Sequence, residues 1–65
     1  MMNFKQWCAL DVEDDRKINY EILKDGKVLH LTSEDYVSHS MMRFIQESTI
    51  QFLKLFNNQW YVILR

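Results

Sequence analysis

The 65-residue chain has no proline, a single glycine (Gly26) and a single cysteine (Cys8). Without proline, no segment is barred from helix or strand by a missing backbone donor. One glycine cannot build a glycine-rich phosphate loop. One cysteine excludes an internal disulfide, and no Cys or His pair has the spacing of a zinc site. No apolar run approaches the roughly 20 residues of a membrane-spanning helix. No linker or low-complexity stretch interrupts the chain. A lone thiol and no leader-like start read as a reducing, cytosolic setting.

What is present is apolar surface. The apolar fraction is 48%, with nine aromatics. Residues 1–65 make one small α+β domain, and a domain of this size is marginally stable without help. Disulfides and metals being excluded, oligomerisation is the remaining support. The net charge of −1 advertises neither nucleic acid nor anionic lipid. Residues 1–35 hold eight acids and five bases, a balance of −3. Residues 36–65 hold one acid and three bases, a balance of +2. Such a polarity can orient two protomers.

The clearest local signal is Asp25-Gly26 between alternating runs, residues 18–24 and 27–31. Asp-Gly suits a type I′ turn, which needs positive φ at both central residues. A two-residue turn fixes the register. Lys24 then faces Lys27, Ile22 faces Leu29 and Tyr20 faces Leu31, all on the face of Ile18. Glu21 with His30 and Leu23 with Val28 occupy the reverse face. Upstream, Phe4, Cys8, Leu10 and Val12 partly alternate, which predicts a strand over residues 6–12. A short helix over residues 2–9 competes with it.

Thr32 or Ser33 before Glu34-Asp35 predicts a helix start near residue 33. Val37, Met41, Phe44, Ile45 and Ser48 then share one face. Residues 49–56 favour a strand, because Ser48-Thr49-Ile50 are weak helix formers. Asn57-Asn58 tolerates the positive φ of a hairpin turn. Leu55 then faces Trp60, Leu53 faces Val62 and Gln51 faces Leu64. The alternative is one long helix over 33–56 followed by a single strand. The preferred fold is therefore β-β-β-α-β-β on an antiparallel sheet, with β-β-β-α-β as its rival.

Trp60-Tyr61-Val62-Ile63-Leu64 is apolar at every position. Strand side chains alternate between faces, so this strand presents apolar surface on both. Leu53, Leu55, Trp60, Val62 and Leu64 suffice to meet the helix. Phe52, Phe56, Tyr61 and Ile63 are left over, with Lys54 and Arg65 at the margin. Exposed apolar patches mark contact sites. The expected interaction residues are Phe52, Lys54, Phe56, Trp60, Tyr61 and Ile63, and the expected association is a two-fold dimer or another protein partner.

No constellation of three cooperating catalytic groups is visible. Glu21 and His30 make a cross-strand pair in which acid–base chemistry is conceivable, but such pairs are ordinary in hairpins. A single-layer sheet has little room for even a pocket of about 300 Å³. Cys8 reads as a small apolar residue, and His39 falls on the polar helix face. Asp11, Glu13, Asp14 and Asp15 lack calcium-loop spacing and read as a solvated turn. No metal, cofactor, catalytic residue or membrane contact is expected. The reading is a non-enzymatic interaction module that self-associates. The alternative is a nucleic-acid-binding module in which Trp60 and Tyr61 stack on bases beside Lys54 and Arg65.

Overall fold

The computed structural model describes residues 1–11 and 15–65. Six elements follow in order: α1 (Phe4–Ala9), β1 (Ile18–Lys24), β2 (Lys27–Thr32), α2 (His39–Glu47), β3 (Ile50–Phe56) and β4 (Gln59–Leu64). The strands form one sheet in the order β2-β1-β4-β3. Both sequential pairs are antiparallel, while the central strands β1 and β4 run parallel. The class is α+β, but the sheet is mixed and, among the described residues, only two strands precede α2.

Two hairpins frame the sheet. Asp25 and Gly26 adopt φ 54° and 75°, and Asn57 and Asn58 adopt φ 53° and 63°. Both pairs supply the left-handed backbone that a tight turn of right-twisted strands requires. The first register is the expected one, with Ile22 opposite Leu29 and Glu21 opposite His30. The second matches at Leu55–Trp60 and Leu53–Val62, then shifts between Ile50 and Phe52. Ile50, not Gln51, therefore opposes Leu64. The irregularity lets Ile50 pack against the core while Gln51 stays exposed.

Three expectations are corrected. The strand over residues 6–12 is instead the helix α1 as far as Ala9, and Val12 lies outside the described residues. Asn3 caps α1 by accepting from the Gln6 backbone N–H, and Gln6 returns a bond to the Asn3 N–H. This capping box satisfies two backbone donors that a short helix would otherwise leave free. Phe4 and Trp7, three apart, face the core. Among the described residues the third N-terminal strand of the expected fold is thus absent, and the six-residue helix α1 stands in its place.

The second correction is the start of α2. Thr32 to Asp35 form a turn: the Thr32 N–H donates to the Asp35 carboxylate, and the Asp35 N–H to the Thr32 carbonyl. Ser33 is held to β1 by its own N–H and by its hydroxyl, both bonded to Ile18. A helix over 33–37 would have to break these bonds and would bury little. The helix begins at His39, with the Ser38 hydroxyl accepting from the Met41 N–H, and Val37 of the expected stripe stands outside it. It ends at Glu47, so the long helix to Phe56 is also excluded. The third correction is the sheet itself, whose β1–β4 pairing is parallel and not antiparallel.

Both helices cover the same face of the sheet. The core consists of Phe4, Trp7, Ile18, Tyr20, Ile22, Ile45, Val62 and Leu64. Ile22 and Ile45 are fully buried. Phe4 packs at 5.5 Å from Tyr20, and Trp7 meets Trp60 edge-on at 5.2 Å. Burial pushes the Tyr20 phenol pKa up, helped by the nearby Asp35 and Cys8. Cys8 is a partly buried packing residue of α1, and His39 is exposed at the start of α2. The N-terminus is tied in by the Ile50 N–H bonded to the Met2 carbonyl and the Phe4 N–H to the Ser48 carbonyl.

Candidate interaction site

The helices leave the opposite face of the sheet uncovered. Period-two alternation along each strand decides which residues stand there. β1 presents Asn19, Glu21 and Leu23, and β2 presents Val28, His30 and Thr32. β3 presents Phe52, Lys54 and Phe56, and β4 presents Tyr61 and Ile63. Phe52 is 50% exposed and Phe56 62% exposed. Leu23 and Val28 are exposed on the same face, toward its β2 edge. The N-terminal segment lies on the other side, packed on the core, and does not fold over this face.

Five of the six expected interaction residues meet here: Phe52, Lys54, Phe56, Tyr61 and Ile63. Trp60 does not. It points to the covered face and packs against Trp7. Its neighbours in the strand alternate correctly, so its place follows from the same rule that exposes Tyr61. The Phe56 ring is 6.5 Å from Tyr61, and the Lys54 ammonium lies 5.2 Å from the Phe56 ring centre. This corner is thus an aromatic cluster carrying one cation, a geometry favourable to cation–π attraction.

A groove of about 400 Å³ runs across the face, lined by Asn19, Glu21, His30, Phe52, Tyr61 and Ile63 among others. It is larger than the sequence led us to expect. The cause is the side-chain relief: Asn19 and Thr32 are short, and the larger side chains of Phe52, Tyr61 and His30 stand around them. The Asn19 amide donates to the Gln59 side chain and the Trp60 carbonyl, which holds it low against the sheet. Glu21 and His30 both line the groove, on adjacent strands. Among the described residues neither side chain takes part in a hydrogen bond or ion pair. Cys8 and His39 are not part of its lining.

Among the described residues, no group of three or more His, Cys, Asp or Glu is placed to hold a metal ion. Glu13 and Asp14 of the acidic run lie outside them. No described helix is long and apolar enough to cross a membrane. Compared with protein-family models, curated proteins and solved structures, the chain matches none.

Proposed function

We propose that the protein is a non-enzymatic interaction module that associates with a second copy of itself through the uncovered sheet face. The observation that carries this reading is the cluster of Phe52, Phe56, Tyr61 and Ile63 on a face no helix covers. Burying apolar area is worth about 25 cal/mol per Å². Covering two of these aromatics contributes several kcal/mol, about half the stability a domain of this size holds. The groove supports contact more than catalysis: Glu21 and His30 have no third group to orient them, and no cysteine lines it.

Sedimentation of the wild-type chain over micromolar to submillimolar concentration tests the association. The expected result is a monomer–dimer equilibrium that Ile63→Glu or Tyr61→Glu shifts to monomer with helix content unchanged. A wild-type monomer throughout would overturn it. Turnover of ester, phosphodiester or glycoside probes that is lost in Glu21→Gln would overturn the non-enzymatic reading.

One observation favours a second reading. Phe52, Phe56 and Tyr61 share their face with Lys54, a stacking surface with a cation at its edge, as single-stranded nucleic acid requires. Gel shifts at low and moderate salt separate the two readings, because phosphate contacts weaken steeply with salt. Tight, salt-sensitive binding that Tyr61→Ala removes would establish it in place of self-association.

A further inference from the structure

The uncovered face has an internal order that specifies how two copies pair. Cross-strand register lays it out in rows. His30, Glu21, Ile63 and Phe52 stand side by side across β2, β1, β4 and β3. The next row is Thr32, Asn19, Tyr61 and Lys54. The carboxylate therefore belongs to the β1–β2 half and the Lys54 ammonium to the β3 edge. Glu21 is half-buried on a central strand, and among the described residues its carboxylate has no hydrogen bond or ion pair. Lys54 touches the Phe56 ring but likewise pairs with no carboxylate. Arg65 shares a shallow depression with Glu21 and makes no ion pair with it. Covering an unpaired carboxylate with apolar surface is costly unless a cation arrives with the cover.

Sheets packed face to face with aligned strands admit two symmetric pairings. A two-fold axis across the strands sets each strand on its own counterpart. Glu21 then approaches Glu21 of the second copy, and Lys54 approaches Lys54. A two-fold axis along the strands sets β3 on β2 and β4 on β1. Lys54 then lands about 5 Å across and about 7 Å along from Glu21 of the second copy, within reach of its long side chain. The Phe52–Phe56 edge simultaneously covers the open β2 side.

We propose that the second copy binds through a two-fold axis parallel to the strands, with reciprocal Lys54–Glu21 ion pairs on either side of the apolar contact. This rests on the self-association argued above. Four strands of about six residues give each face about 19 by 20 Å. Two faces amount to roughly 800 Å² in projection, below the roughly 1,200–2,000 Å² of stable specific interfaces, so the pairing is a weak, reversible one. In so small a contact, charge placement has a large say in which pairing forms.

Charge reversal tests the pairing. Glu21→Lys and Lys54→Glu are each sedimented alone and then as an equimolar mixture, with circular dichroism as the check on folding. Each variant alone is expected to dimerise about tenfold or more weakly than wild type, through like-charge repulsion at both pairs. The mixture is expected to return to within about threefold of wild type, because both pairs are then complementary. If either variant fails to fold, Glu21→Gln and Lys54→Gln stand in, each expected to weaken the dimer about threefold or more. A mixture no tighter than its components, or variants as tight as wild type, would overturn the pairing while leaving self-association standing. A wild-type monomer would remove self-association itself.

Discussion

The two faces of the sheet are made from the same strands and behave as different materials. On β1, Ile18, Tyr20 and Ile22 are buried against the helices, while the residues between them, Asn19, Glu21 and Leu23, face outward. On β4 the covered Val62 and Leu64 alternate with Tyr61 and Ile63. The covered face gains stability within the chain. The outer face carries fewer apolar groups, Leu23, Val28, Phe52, Phe56, Tyr61 and Ile63, and among the described residues has no helix to bury them against. An ordinary antiparallel sheet exposes a polar second face. This one keeps aromatics there, which the fold of the chain itself leaves exposed.

Matched substitutions on the two faces sharpen that comparison. The largest expected effect is between aromatics. Trp7→Ala should cost about 3–5 kcal/mol, because it empties the core between α1 and Trp60. Phe56→Ala, on the other face, should cost under about 1 kcal/mol in dilute solution. Urea denaturation of both variants reads the contrast, and equal costs would break it. Next come two sequence neighbours. Ile22→Ala should cost about 3 kcal/mol, since the side chain is fully buried. Leu23→Ala, one residue on and exposed, should cost under about 1 kcal/mol by the same measurement.

The smallest expected effect is a pH dependence confined to the covered face. Burial favours the neutral Tyr20 phenol, so its folded pKa lies above the ordinary tyrosine value of 10.0. Below that value the neutral form is present in both states and its contribution is complete. As pH rises past it, the unfolded chain loses its proton first and stability falls. Tyr20→Phe should therefore flatten the alkaline limb of a stability–pH curve. A limb equally steep in the variant would show that Tyr20 does not carry it.

Much of this architecture is local, and the local parts were legible. Asp25-Gly26 and Asn57-Asn58 each specify a turn by backbone φ, and the turn then fixes which residues face each other. The uncovered face followed from a strand apolar at every position, which cannot hide both sides under one helix layer. Three features escaped. Asn3 and Gln6 form a capping box, and Phe4, Trp7 and Cys8 lie at helical spacing, but Cys8, Leu10 and Val12 also alternate, and a short segment fits both periods. Ser38 was hidden behind the acidic Glu34-Asp35, which mimics a first helical turn but serves the Thr32 turn instead. The parallel β1–β4 pairing joins strands about 40 residues apart, and no local signal encodes it. The groove was missed for a related reason: its depth depends on Asn19 and Thr32 standing beside Tyr61 and Phe52, which only the strand order decides.

Amide chemical shifts followed on dilution test, residue by residue, whether the outer face is the contact surface. The expected result is concentration-dependent shifts gathered on Glu21, Leu23, His30, Phe52, Lys54, Tyr61 and Ile63, with those of α1 and α2 unchanged. Shifts confined to the helices, or none at any concentration, would contradict it.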